Sequence, residues 1–162
     1  MTPPFIITRL LDAPRDSVWK AWTEAERLKQ WFGPKGVTMP ACTLDFKIGG
    51  TFHYCMRTPD GADMWGKWIF REIARPERID LVMHFSDKDG GITRHPFMPG
   101  WPLKMASVTT FGDEGGKTRL TIGWQPYEAT DEENKIFNEN RASMEQGWAG
   151  TFEQLEAYLA KT

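Results

Sequence analysis

Apolar and polar residues change their period twice along this chain. A short β-branched and apolar run over Phe5–Leu11 predicts a strand. Pro14 suits the first position of a helix, and Val18, Trp19 and Trp22 follow at helical spacing. Thr23 with Glu26 forms a capping-box pattern that predicts a second short helix carrying Leu28, Trp31 and Phe32, ended by Gly33-Pro34. From about residue 38 to about residue 125 the period becomes two. Strands are predicted over residues 38–45, 51–58, 64–73, 79–85 and 106–111, and a last one around Leu120, Ile122 and Trp124. Turn residues separate them: Gly49-Gly50, Pro59-Asp60-Gly61, Arg75-Pro76-Glu77 and Gly115-Gly116. Thr130 and Glu133 form another capping box. After it Met144, Trp148, Thr151, Phe152, Leu155, Tyr158 and Leu159 recur at three- and four-residue spacing, an amphipathic helix of several turns.

Strict alternation means a sheet with one covered and one wet face, and short turns make it mostly an antiparallel meander. The predicted class is α+β: seven antiparallel strands, two short helices after the first strand and a long C-terminal helix over the apolar face, all in one domain spanning residues 1–162. The inward parity collects Phe52, Tyr54, Trp68, Phe70, Met83, Phe85 and Trp124. Trp148 and Phe152 face them from the helix, while Trp31 and Phe32 close one side. Residues 87–103 break the rhythm. They hold Gly90, Gly91, Pro96, Pro99, Gly100 and Pro102 around an apolar centre of Phe97, Met98 and Trp101. Such a loop packs on the body or closes over a pocket, and Trp101 then joins the wall.

Composition sharpens this picture. Of 162 residues 13% are aromatic, with eight Trp and eight Met. Aromatic walls with Met as filler suit flat apolar ligands, although the same residues also serve as plain packing. Tyr54, Thr109, Thr151 and Gln146 are the candidate polar groups of such a site. A net charge of -2 excludes a strong whole-domain bias toward nucleic acid or an anionic membrane. The apolar runs are far too short to span a bilayer, and the first residues lack a signal-peptide pattern. A cytoplasmic setting is expected, in keeping with only two cysteines, Cys42 and Cys55.

Signs of chemistry are sparse. His53, His84 and His95 form no ligand pair, so neither a metal nor any other cofactor is expected. Parity puts His53, Cys55 and His84 on the wet face and leaves Cys55 half-exposed, with Cys42 a small core residue. His95 stands in the apolar loop, where a general base would be presented; the plainer reading is a surface imidazole before Pro96. Glu72 is the strand carboxylate whose parity points inward. The glycine pairs match no phosphate cradle. Arg71, Arg75 and Arg78 read as a solvated strand end or as a site for an anionic partner.

The order of elements, taken with its residues, resembles the helix-grip superfamily of START domains and birch-pollen-allergen proteins. Within it the chain resembles the family named for the activator of the ninety-kilodalton heat-shock protein's ATPase. The stretches that carry the resemblance are Asp12-Ala-Pro-Arg-Asp-Ser-Val-Trp19, Ala21-Trp-Thr23, Trp31-Phe-Gly-Pro34 and Asp45-Phe-Lys-Ile-Gly-Gly-Thr-Phe52. They continue through Gly66 to Ile73, Pro76-Glu-Arg-Ile79, Gly116-Lys-Thr-Arg-Leu-Thr121, Gly147-Trp148 and Leu155 to Leu159. The resemblance implies a deep apolar cavity between a curved sheet and the last helix. It implies little about chemistry, because the superfamily is functionally mixed. The first expectation is non-covalent binding of a small hydrophobic or aromatic molecule, without catalysis. A chaperone-binding module is the second, set back because the name-giving activator carries a separate N-terminal region for which this chain has no room. A cyclase- or hydrolase-like enzyme is the third.

Overall fold

The computed structural model describes residues 2–162. Its strands are β1 (Phe5–Leu11), β2 (Thr38–Leu44), β3 (Thr51–Arg57), β4 (Asp63–Ala74), β5 (Arg78–Ser86), β6 (Ile92–Thr93), β7 (Met105–Glu114) and β8 (Lys117–Pro126). Its helices are α1 (Arg15–Thr23), α2 (Ala25–Trp31), α3 (Asp131–Glu139) and α4 (Arg141–Ala160). All pairings are antiparallel, in the order β1-β8-β7-β5-β4-β3-β2. The seven expected strands form this path; β6, two residues inside the irregular loop, adds to β5 and was not expected. The result is the α+β helix-grip arrangement, a curved sheet closed by helices.

Cross-strand register explains why alternation predicted the covered face. Phe52, Trp68, Met83 and Met105 stand in one row across β3, β4, β5 and β7. Phe70, Leu81, Ser107, Trp124 and Phe5 form the next, and Ile73, Ile79, Thr109, Ile122 and Ile7 the one after. Onto these rows α4 lays Met144, Trp148, Thr151, Phe152, Leu155 and Leu159, while α1 adds Val18, Trp19 and Trp22. Burial of each large apolar side chain contributes about 1.5–3 kcal/mol. Polar atoms under the helices are bonded where the chain permits: the Thr118 hydroxyl donates to the Ala13 carbonyl at 2.8 Å, and the Trp31 indole to the Ala21 carbonyl at 3.0 Å. Arg9 enters this face with its charge matched, bonded to Glu156 of α4 at 2.8 Å over the Phe152 ring.

Local expectations differ in outcome. The Gly115-Gly116 hairpin forms with φ of 63° and 87°, a conformation that side chains resist. The Thr130–Glu133 capping box is present in full. The Thr23–Glu26 box is not: Glu24 occupies the cap position, and the Thr23 hydroxyl donates instead to the Trp19 carbonyl, 2.8 Å away within α1. The C-terminal helical region is two helices. Asn140 leaves helical geometry (φ -111°, ψ 18°), and its N–H turns back to the Phe137 carbonyl. A bulge at Arg71 corrects the placing of Glu72, which pairs with Asp80 and lies exposed on the outer face.

Candidate functional site

Every strand residue expected in the wall lies on the concave face. Tyr54, Gly66 and Phe85 extend the rows toward one end of the sheet. Burial falls off in that direction. Phe52, Trp68 and Phe70 are buried, whereas Tyr54, Met83, Phe85 and Trp124 are half-exposed. Trp31, Trp148 and Phe152 are buried as well, with Phe32 and Trp101 half-exposed at the margins. These side chains line the concave face with burial that is complete at one end and partial at the other. Phe32 touches Phe52, Tyr54 and Trp68 with centroid separations of 6.3, 5.6 and 5.1 Å, and Trp124 meets Trp148 at 5.5 Å.

Trp22 of α1 is the residue that parity did not reveal. It lies between Trp68 and Trp148, near-parallel to both, with centroids 6.2 Å from each. Its helical spacing from Trp19 marked it as core, but a sheet-based wall had no place for it. Among the described residues the indole N–H groups of Trp19, Trp22 and Trp148 are buried without a hydrogen-bond partner, whereas that of Trp68 faces the Tyr54 hydroxyl. Each such donor costs about 1–3 kcal/mol while it stays unpaired. Tyr54 sits beside Trp68, and burial pushes its phenol up to about 12, so it is a neutral hydroxyl at physiological pH. The Tyr54 ring lies across the backbone of Gly66; a Cβ there would stand 2.5 Å from its Cζ and Oη. Glycine is thus what lets this aromatic lean into the wall.

The loop of residues 87–103 packs against the partly buried end of the wall. His95 approaches Phe85 with a ring separation of 4.6 Å, and Trp101 packs on Phe137 of α3 at 5.9 Å. One carboxylate fastens the loop. Glu133 accepts from Arg94, from the Leu103 N–H at 2.9 Å and from the Thr130 N–H at 2.9 Å. Burial raises its proton affinity, but the bonds from Thr130, Arg94 and Leu103 outweigh that and hold it below the usual carboxylate range. His95 shapes the loop through Nδ1, which accepts from the Phe97 and Met98 N–H groups at 3.0 and 3.1 Å. Burial lowers its pKa below 6.5. Its accepting nitrogen is committed to the backbone, which leaves Nδ1 unavailable as a general base.

Other candidates separate from the wall. The Thr151 hydroxyl is used within α4, donating to the Gly147 carbonyl at 3.0 Å, and Gln146 is exposed. Thr109 is buried in the sheet row two strands from Ile7. His53 is on the outer face as expected, stacked on Trp65 with Nε2 near Ser86 Oγ and the Asp87 carbonyl. Cys55, expected half-exposed, is buried on that same outer face because Ala41 and Trp65 flank it from both neighbouring strands. Cys42, expected in the core, is partly buried and packs against it from β2, opposite Tyr54. Burial raises the pKa of both thiols. The arginine cluster is dispersed: Arg71 lies over Tyr127, Arg75 over Trp19, and Arg78 bonds Asp80. Among the described residues no group of three or more His, Cys, Asp or Glu is placed to hold a metal ion. No described helix is long and apolar enough to cross a membrane. Two shallow grooves lie outside the concave face. One, of about 290 Å³, is lined by Pro4, Ile6, Ala106 and Val108; the other, of about 430 Å³, runs along β2 past Lys29, Met39 and His53.

Comparison with known proteins agrees with this architecture. No curated protein matches the chain. Among solved structures, an X-ray structure of a Nitrosomonas europaea protein is 26% identical, covers 98% of this chain and 95% of its own, and superposes with a TM-score of 0.77. A solution structure from Arthrobacter aurescens is also 26% identical, with 99% and 88% covered and a TM-score of 0.78. The crystal structure of an AHSA1 protein from Silicibacter pomeroyi shares the fold at 18% identity, with 97% of each chain covered and a TM-score of 0.70. The family model for the Activator of Hsp90 ATPase homolog 1-like protein matches residues 12–160. With nearly its whole length matched, the chain belongs to the Activator of Hsp90 ATPase homolog 1-like family.

Proposed function

We propose that this protein binds a small, mainly apolar molecule, without covalent chemistry, in the groove between the concave sheet face and α4. The observation that carries the reading is the graded aromatic wall. Its deep end is buried at Trp68, Trp148 and Phe152, and its outer end is half-exposed at Tyr54, Met83, Phe85 and Trp124. A purely structural core would gain by burying those last four as well. A loop with an apolar centre, fastened at Glu133, lies over the same end and serves as a gate. Binding follows from apolar surface removed from water, with the indoles and the Tyr54 hydroxyl orienting the ligand. Calorimetry with the flat hydrocarbon fluorene tests this. One-site saturation with a negative heat-capacity change is expected, lost in Phe85→Glu at the partly buried end. Absence of saturable binding, or binding unchanged by Phe85→Glu, would refute it.

The family name brings a second reading, contact with a chaperone of the ninety-kilodalton class. The outer-face groove favours it, because Ile6 beside that groove is 63% exposed on an edge strand. Stimulation of the chaperone's ATPase, lost in Ile6→Glu and kept in Phe85→Glu, would favour this reading over the groove.

A further inference from the structure

The two edges of the sheet are built differently. At one, β2 carries Pro40, its register with β3 shifts between Thr38 and Ala41, and α2 packs against it. Proline and irregularity on an edge keep a foreign strand from adding to it. At the other edge β1 has no such guard. It contains no proline, and its register with β8 runs unbroken from Phe5 to Leu11. Among the described residues β1 pairs with β8 alone, and its other edge has no main-chain partner. Its outer side presents Ile6, Thr8 and Leu10, with Ile6 63% and Leu10 38% exposed.

The strand is also matched to itself. When two copies run antiparallel with Thr8 opposite Thr8, all seven residues pair. Ile6 falls opposite Leu10, Ile7 opposite Arg9 and Phe5 opposite Leu11. The exposed apolar side chains then cover each other twice about a two-fold axis, with a Thr–Thr pair on the axis itself. A register that set Arg9 opposite Arg9 would bring like charges face to face. In the Thr8 register the two stay apart. The cations beside the seam are matched within each chain, Arg9 by Glu156 at 2.8 Å and Arg119 by Glu114 at 3.1 Å. The contact is small. Seven paired residues make about six to eight inter-strand bonds, and at about one bond per 100–200 Å² this is a contact of roughly 1,000 Å², the lower limit for a specific interface. We propose that a second copy of this chain pairs with β1 in the Thr8-centred antiparallel register, joining two sheets into one and giving a dimer that dissociates on dilution.

Sedimentation of the intact protein from about 1 μM to about 1 mM tests this, a range that brackets weak association. The average mass should climb from one chain toward two. Amide exchange at residues 5–11 should slow over the same range, with β2 unchanged. Thr8→Lys and Thr8→Glu each set like charges opposite one another on the axis, and each should weaken self-association by about tenfold or more. Thr8 is exposed, and circular dichroism checks that both variants fold. An equimolar mixture of the two should recover the dimer, because opposite charges then meet. Ile48→Glu removes a side chain 66% exposed away from this edge and should change nothing. A single-chain mass at every concentration would overturn the inference, as would a dimer that survives both Thr8 substitutions or a mixture that stays monomeric. A monomeric chain whose chaperone stimulation is lost in Ile6→Glu would assign this edge to the chaperone instead. Fluorene binding on the concave face is read separately, so either result stands without the other.

Discussion

Gly66→Ala probes the link between backbone and wall with a single methyl group. The backbone of Gly66 tolerates a side chain, since it is not among the positive-φ glycines. The obstacle is Tyr54, whose Cζ, Oη and Cε2 would lie 2.5, 2.5 and 2.9 Å from the new Cβ. The ring must swing away, weakening its stack on Phe52 at 4.8 Å and its edge contact with Phe32 at 5.6 Å. Overpacking of this kind costs about 1–3 kcal/mol, and each aromatic pair is worth about 0.5–1.5 kcal/mol. Against this, replacing glycine gains about 0.4–1 kcal/mol through the unfolded chain. The net expectation is a loss of about 2 kcal/mol, or about 4–8 °C in Tm for a domain of this size. Urea unfolding followed by circular dichroism measures it. The decisive comparison is made in a Tyr54→Ala background. There Gly66→Ala should be neutral or stabilising by about 0.5 kcal/mol, because the obstructing ring is gone. An equal loss in both backgrounds would refute the account of why glycine stands there.

Further outcomes follow from the loop and the core. Glu133→Ala strands two backbone N–H groups and Arg94, and should cost about 2–4 kcal/mol in chemical denaturation, with Glu133→Gln losing less because it still accepts. The Glu133 carboxyl is held below its ordinary 4.5, so its stabilising share is complete above that pH and lost as pH falls through the folded value; Glu133→Gln should flatten that part of the acid limb. His95 is held below 6.5, so folding favours its neutral form; stability is full above pH 6.5 and declines on acidification through the folded value. Amide protection factors at Phe97 and Met98, taken relative to the intrinsic exchange rate at each pH, should therefore fall as the pH drops below 6.5 in the wild type, and His95→Asn, which keeps an acceptor without titrating, should abolish the change. Thr118→Val leaves the Ala13 carbonyl without its donor in a fully buried site and should cost about 1–2 kcal/mol by thermal unfolding.

The strands and the wall were legible in the sequence because alternation survives intact in β3, β5 and β8, where each residue has one partner across the ladder. It failed at Glu72, where one inserted residue at the bulge reverses every later side chain. Cys55 was misjudged because its cover comes from Ala41 and Trp65 on adjacent strands, a register that no local pattern contains. The division at Asn140 and the failed Thr23 cap share another cause, since side chains with more than one available backbone partner cannot be assigned from spacing alone. Trp22 was legible as core but not as wall, because its stacking on Trp68 and Trp148 depends on how α1 docks. The resemblance carried the helix-grip arrangement over the full chain. The unpartnered indoles became visible only with every neighbour in place.

The most direct measurement is a ¹⁵N–¹H titration of the eight indole N–H signals with fluorene. Trp65 lies on the outer face against His53 and serves as an internal control. Saturable shifts at Trp68, Trp124 and Trp148, with Trp101 responding as the loop moves and Trp65 unchanged, are the expected result. Shifts at Trp65 with the concave-face indoles silent would contradict binding in the groove.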